Sequence, residues 1–168
     1  MRKCMTRLAM GISVLWMVQV AAKAQIAVFA EGAWNYSVPN TDILEAGLNF
    51  TGTYTSNTDQ VLLTIFQQYY FDNFLNYRWR VEVSRNDLDW HPSLQIFARR
   101  TGSGVPFYFN GQMSGGTNYQ EVKTNDLYFF NGRRTYLDIP IQYQIRNVSV
   151  LIPAKTYVTT IVYTVIEQ

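Results

Sequence analysis

Apolar and polar residues alternate with a period of two along most of the chain, and no stretch after residue 25 has the spacing of an amphipathic helix. The clearest alternation covers residues 77–84, where Trp79 and Val81 share one face and charged side chains occupy the other. This pattern predicts a strand with one buried and one solvated face. Residues 139–145 alternate in the same way and predict a second such strand.

Turn residues divide the rest of the chain into short β-prone segments, and we predict about nine or ten strands in all. The predicted strands cover residues 33–38, 49–55, 60–66, 77–84, 94–100, 106–109, 119–123, 127–130, 139–145 and 156–166. The fold class that this pattern indicates is all-β, a single immunoglobulin-like or jelly-roll-like β-sandwich of mainly antiparallel strands.

Several local signals predict how these strands are connected. The second and third are expected to form a hairpin across a turn at residues 56–59. Residues 86–91 and the pair Asn131 and Gly132 are typical of turns. After Asn147 the apolar positions change parity, which requires a bulge or a turn because a continuous strand keeps its faces. Residues 101–116 contain five glycines and predict loop structure.

The N-terminus has the pattern of a cleaved signal peptide. A basic start is followed by an apolar run from Leu8 to Ala22 and by small residues that favour cleavage before Gln25. The apolar run is shorter than the ~20 residues that a membrane-spanning helix needs. We therefore predict a signal peptide at 1–24, one domain at 25–168, no transmembrane segment after cleavage, and a location in the periplasm, on the cell surface or outside the cell.

Cleavage changes both the charge and the cysteine content. The whole chain has 14 basic and 12 acidic residues, and four of the basic residues lie in the predicted signal peptide, so the net charge falls from +2 to −2. This balance does not favour a nucleic-acid partner. The single cysteine, Cys4, is removed as well, which excludes disulfides and thiolate chemistry in the mature chain.

Residues 79–91 (WRVEVSRNDLDWH) concentrate the residue types that catalysis and metal binding use. Asp87 and Asp89 could bind a ligand, and His91 is the only histidine of the chain. One histidine without cysteines cannot build a usual zinc site, and the calcium-loop pattern is absent. We expect the aspartates to accept hydrogen bonds in a turn and predict no catalytic residue, no cofactor, no metal and no enzymatic activity.

Exposed aromatic residues are the other candidates for an interaction site. Tyr69 and Tyr70 lie in an aromatic-rich segment without clear period, residues 67–76, and Phe107 and Tyr108 lie beside glycines. Tyrosine and phenylalanine suit both sugar stacking and protein interfaces. These four residues, with Asp87 and Asp89, are our candidates for a ligand or interface site, although core and loop packing explains most aromatics.

Residues 79–91, residues 94–104 (LQIFARRTGSG) and residues 139–165 (IPIQYQIRNVSVLIPAKTYVTTIVYTV) resemble small exported β-sandwich proteins of bacteria. The C-terminal segment is similar to the closing strand of spore-coat-U-type and pilin-like domains. The resemblance implies a non-catalytic sandwich that assembles on the cell surface by strand exchange. The chain departs from those families because its mature part has no cysteine pair and residues 25–30 are short for a donor strand.

Two functions follow as expectations. The first is a structural or adhesive module that associates with itself or with a surface partner through an edge strand near a terminus. The alternative is a secreted carbohydrate-binding module that binds glycans through loops such as 67–76 or 101–116.

Overall fold

A computed structural model describes residues 26–39, 50, 52–67, 78–107 and 111–168. The predicted signal peptide lies outside the described residues. The described residues form strands, turns and irregular segments, and none of them forms a helix long and apolar enough to cross a membrane.

Eleven strands are present in the described part of the chain. In chain order they are β1 (Ile26–Glu31), β2 (Tyr54–Thr55), β3 (Val61–Gln67), β4 (Arg78–Asp89), β5 (Gln95–Arg100), β6 (Val105–Pro106), β7 (Gln112–Gly115), β8 (Gln120–Glu121), β9 (Leu127–Arg133), β10 (Tyr136–Arg146) and β11 (Val158–Glu167). The large sheet has the order β1-β3-β10-β5-β8, with β2 and β6 also paired to β10. The small sheet has the order β11-β4-β9-β7.

The two sheets pack against each other and confirm the predicted all-β sandwich with antiparallel pairing. If β1, β3, β4, β5, β10 and β11 are labelled A to F, the large sheet has the order A-B-E-D and strands F and C are neighbours in the small sheet. The same strand order occurs in immunoglobulin-like sandwiches. The paired strands β5 and β8 also lie between the paired strands β4 and β9 in the sequence, and these lie between the paired strands β3 and β10. Such nested pairing is that of a jelly roll. Both predicted alternatives therefore describe part of the connectivity.

Alternating residues of both sheets fill the core, as the period-two pattern predicts. The fully buried side chains include Trp79, Val81 and Val83 of β4, together with Ile139 and Ile141 of β10. Trp79 meets the ring of Phe130 edge-on and donates a hydrogen bond from Nε1 to the carbonyl oxygen of Arg134 at 2.7 Å. The indole is thus both packed and satisfied in its hydrogen bonding, which fixes the centre of the core.

Two predictions at the start of the domain are wrong. Residues 33–38 do not form a strand; the first strand is β1, and Gly32 follows it with a positive φ. The predicted hairpin does not form, because β2 pairs with β10 rather than with β3. Ser56 explains the difference: it donates its backbone N–H to the carbonyl of Tyr143 and accepts a bond from the amide of Tyr143, so the chain continues along β10 instead of reversing.

Two predicted turns are also wrong, because strands run through them. Strand β4 continues to Asp89, and its last residues pair with the start of β11. Strand β9 continues through Asn131 and Gly132 to Arg133, and the chain reverses only at Arg134, which has a φ of 75°. Extended pairing with neighbouring strands therefore overrides the local turn preference of asparagine, aspartate and glycine.

Most of the remaining strand predictions agree with the structure to within a few residues. The exceptions are 49–55, where the described residues are extended only at Tyr54–Thr55, and 106–109, of which 108 and 109 lie outside the described residues. β5 and β11 match their predicted segments, and Asn147, with a φ of 61°, ends β10 where the parity change predicts a break. The glycine-rich region holds one strand that the sequence did not predict, β7.

Arg100 fastens that glycine-rich region to the core. Its guanidinium is buried and donates hydrogen bonds to the carbonyl oxygens of Gly102, at 2.8 Å, and Gly115, at 2.8 Å and 3.2 Å. A further bond goes to Ser103 Oγ at 3.0 Å. Burial lowers the pKa of Arg100 from its usual value, since the charged form loses water. The planar guanidinium group therefore holds Gly102 and Gly115, near the two ends of the glycine-rich region, close to each other.

We expect Arg100→Lys to lower the free energy of unfolding by about 2 kcal/mol, because lysine keeps the charge but cannot reproduce the fork. Urea denaturation of the chain from Gln25 onward, the predicted mature protein, measures this loss. Arg99→Lys, on the outer face of the same strand, is the matched control and is expected to lose less. Equal stability of wild type and Arg100→Lys would contradict the role of the fork.

Candidate interaction surface

Asp87 and Asp89 lie on strand β4, and each is paired with a cation. The Asp87 carboxylate forms an ion pair with Arg85 and accepts a hydrogen bond from Thr159 Oγ1 at 2.8 Å. Asp89 Oδ1 lies 2.6 Å from Lys155 Nζ. Both aspartates therefore tie β4 to β11 and to the segment before it, instead of forming the turn that we predicted.

His91 belongs to the turn that follows β4. Its ring nitrogen Nδ1 accepts a hydrogen bond from the amide of Ser93 at 3.2 Å, and its carbonyl accepts one from the amide of Leu94 at 3.0 Å. Its ring meets Tyr157 edge-on at 6.0 Å. Among the described residues there is no group of three or more His, Cys, Asp or Glu side chains that could hold a metal ion.

The predicted aromatic candidates are described only in part. Phe107 follows β6, is 53% exposed and donates its amide to the carbonyl of Thr135 at 3.1 Å. Tyr69, Tyr70 and Tyr108 lie outside the described residues. Glycan binding through these loops therefore stays a prediction.

The outer face of the large sheet carries a polar network that the sequence analysis missed. Arg99 Nε donates to Gln142 Oε1 at 2.9 Å, and its guanidinium lies 4.6 Å from the centre of the Tyr119 ring. Arg146 covers the ring of Phe97 at 4.0 Å in the same way. These planar groups contact one another across β5, β10 and the segment before β8, and such cation–π contacts stabilise the sheet.

Strands β1 and β11 run close together along one side of the sandwich, which we call the β1–β11 seam. Among the described strands, β11 pairs only with β4, and β1 pairs only with β3. Each of the two strands therefore presents one edge of backbone N–H and C=O groups toward the seam, with no strand of the described part hydrogen-bonded to it.

Apolar side chains of the core reach the surface at this seam. The inward-facing residues of the two strands are only partly buried; they are Ile26, Val28, Ile161, Tyr163 and Val165. In contrast, the inward-facing Leu63 and Ile65 of β3, the strand next to β1, have no exposed surface. The core is thus closed in the middle of the sheets and incompletely covered at the seam.

Strand β11 also has an unusual composition for an exposed edge. From Thr156 to Ile166 the chain contains no charged residue, no glycine and no proline, and Val162 is 39% exposed. Natural edge strands are commonly protected by charges, prolines or bulges. We predicted an assembly edge near a terminus without naming a strand, and the absence of charged residues from this segment is visible in the sequence.

A pair of tyrosines closes the core behind the seam. The hydroxyl oxygens of Tyr143 and Tyr163 lie 2.6 Å apart and share a hydrogen bond, and the Trp34 ring stacks on Tyr143 at 6.4 Å between centroids. Burial raises the pKa of Tyr143 to about 12, and burial also raises the pKa of Tyr163 well above its usual value. The fold therefore favours the protonated form of both phenols.

We expect an alkaline loss of stability from this pair. A phenol whose pKa is raised in the folded state makes its full contribution to the free energy of unfolding below pH 10 and loses it as the pH rises toward 12. For Tyr143 the loss is about 1.4 kcal/mol per pH unit over this range. Guanidinium denaturation between pH 8 and pH 12 measures the decline. In the Tyr143→Phe/Tyr163→Phe variant we expect most of this alkaline decline in stability to disappear. A decline as steep as that of the wild type would contradict the assignment of the effect to this pair.

Comparison with known proteins does not add to this picture. No protein-family model matches the chain, and neither the curated proteins nor the solved structures contain a match. The functional proposal therefore rests on the geometry of the described residues, and it concerns the β1–β11 seam with its open strand edges and partly exposed apolar side chains.

Proposed function

We propose that this protein is a non-catalytic, exported structural subunit that associates with a second copy of itself by strand addition at β11. The observation that carries the proposal is the ten-residue edge of β11, which has no partner strand on one side among the described residues. The pattern of a cleaved signal peptide supports export. The sequence resemblance to pilin-like domains implies the same mode of assembly.

The backbone at this edge provides the affinity. An added strand would pair with N–H and C=O groups along β11, in the mode by which an extended segment joins the edge of a sheet. Because the edge carries no charge between Thr156 and Ile166, no like-charge repulsion opposes a second copy there. An edge of this length and composition is a ready template for another chain.

The side chains at the seam add burial. Ile161 and Val165 of β11 and Val28 of β1 face the core but remain partly exposed, so a strand beside them would remove apolar surface from water. Each Å² of apolar surface covered in this way contributes about 25 cal/mol. The seam therefore offers hydrogen bonds and apolar contact at the same place.

Sedimentation velocity of the mature protein, beginning at Gln25, tests the proposal when it is run over a wide range of concentrations. We expect the mass to rise with concentration, and electron microscopy of the concentrated sample to distinguish closed dimers from filaments. A single monomeric mass at every concentration, without particles larger than one subunit, would contradict self-association.

A further inference from the structure

Two tyrosine rings lie against each other where the segment after β1 meets β2. The ring centroids of Tyr36 and Tyr54 are 4.7 Å apart, and the ring planes are inclined by 37° to each other. Tyr36 is 44% exposed, whereas Tyr54 is buried. One phenol of the pair is therefore open to reagents from solvent, and the other phenol is in contact with the first.

Separate anchors hold the two rings in this position. The Trp34 ring lies 5.9 Å from the Tyr36 ring, stacks on Tyr143 and packs against the core. Tyr54 belongs to β2 and pairs with Ile145 of β10. Because each tyrosine is fixed through a different element, their contact is a property of the folded chain and not of the local sequence.

A link between the two rings would close a loop that no other covalent bond can close. The tyrosines enclose residues 37–53, and the chain from Gln25 onward contains no cysteine, so a disulfide is excluded there. Strand β2 is only two residues long, so few backbone hydrogen bonds of the sheet hold it. A bond between the rings would give this part of the chain the restraint that disulfides give to many exported proteins.

We propose that Tyr36 and Tyr54 form a site of oxidative cross-linking, at which a peroxidase with hydrogen peroxide joins the two rings after the predicted export. Each phenol loses one electron and its hydroxyl proton and becomes a phenoxyl radical. The radicals form a carbon–carbon bond between ring carbons next to the hydroxyl-bearing carbons. The hydrogens of these ring carbons then move to the oxygens and restore both phenols. The two electrons and two protons released reduce hydrogen peroxide to two water molecules.

The geometry favours this pair over more isolated tyrosines. A peroxidase reaches the exposed Tyr36, and the ring contact lets Tyr54 pass an electron to the Tyr36 radical, so that Tyr36 is oxidised a second time. Two radicals held in contact combine within one molecule, which is faster than an encounter between molecules. Tyr128 is exposed to a similar extent, 48%, but no other aromatic ring of the described residues lies against it. The site uses neither strand of the β1–β11 seam and does not rest on the proposed assembly.

Treatment of the chain from Gln25 onward with a haem peroxidase and hydrogen peroxide, at low protein concentration, tests the proposal. We expect a product of monomer size that has lost two hydrogen atoms in mass and shows the fluorescence of dityrosine. The treated protein is also expected to melt about 5 °C higher than the untreated protein, because the new bond restricts the unfolded chain. Covalent dimers as the main product, or a melting temperature that treatment leaves unchanged, would contradict the proposal.

Digestion after glutamate locates the bond, because Glu45 lies between the two tyrosines in the sequence. Fragment 32–45 contains Tyr36 as its one tyrosine. We expect mass spectrometry to find this fragment joined to fragment 46–82, with the bond at Tyr54. A bond to another tyrosine of fragment 46–82, or two fragments that remain separate, would overturn the assignment.

Tyr36→Phe keeps the ring but removes the exposed phenol, and we expect this variant to form about tenfold less of the monomeric product. Its melting temperature should not rise on treatment. Tyr128→Phe is the matched control, because it removes a phenol of similar exposure, and it is expected to form as much product as the wild type. Equal yields from Tyr36→Phe and the wild type would show that other tyrosines carry the reaction.

Discussion

Gly132→Ala is expected to lower the free energy of unfolding by about 3 kcal/mol, the largest effect that we predict for a single methyl group. A Cβ atom at Gly132 would lie 2.5 Å from Cη2 and Cζ2 of Trp79, and 3.0 Å from the carbonyl oxygen of Gln112. The indole cannot move aside, since it is fully buried and hydrogen-bonded to Arg134. Urea denaturation of the mature protein measures the loss.

A double-mutant cycle isolates this contact. Trp79→Phe removes the outer atoms of the indole, so Gly132→Ala is expected to cost less in the Trp79→Phe background than in the wild type. Gly52→Ala is the control, because the nearest described atoms to its added Cβ belong to the ring of Tyr54 and lie at 3.3 Å or more, so the crowding is milder. Additive effects of Trp79→Phe and Gly132→Ala would show that the two side chains do not compete for the same space.

Thr160→Lys/Val162→Lys is expected to weaken self-association about 100-fold or more, because like charges on two paired edges cost several kcal/mol. Both residues are exposed on β11, outside the core, so the variant should fold with nearly wild-type stability. Sedimentation equilibrium gives the association constant, and circular dichroism checks the fold.

The matched control places the same two charges in an exposed loop, as Thr124→Lys/Asn125→Lys between β8 and β9. This variant has the same net charge as the β11 variant and is expected to associate like the wild type. If the loop variant loses association as strongly, general charge repulsion and not the β11 edge is responsible. If the β11 variant associates normally, another surface forms the contact.

The sequence predicted the core better than the connections. Alternation at Trp79, Val81 and Val83 identified the buried face of β4, because burial on one side of a strand imposes a strict period of two. The change of parity at Asn147 was visible for the same reason. Such patterns depend only on neighbouring residues and on the existence of one core.

The errors arose where long-range pairing decides the backbone. Asn131 and Gly132 form a frequent turn pair, but here Gly132 is required because the Trp79 ring lies against it across the sheet. Asp87 is in a strand because β11, more than 70 residues later, pairs with it. Neither partner can be identified from the local sequence, so turn preference was the only signal available there.

The candidate sites show the same division. Asp87 and Asp89 stood out by residue type, yet each is held by a neighbouring cation. The β1–β11 seam depends on which strands lie at the edges of the sheets, which hydrophobic patterns do not specify.

Hydrogen–deuterium exchange on peptides that cover β11 tests strand addition most directly, when the mature protein is compared at concentrations where it is monomeric and where it is assembled. We predict that amides of Val158–Glu167 exchange more slowly in the assembled state, while those of Gln112–Gly115, at the opposite edge of the small sheet, are unchanged. Assembly that leaves exchange in β11 unaltered would contradict the proposal.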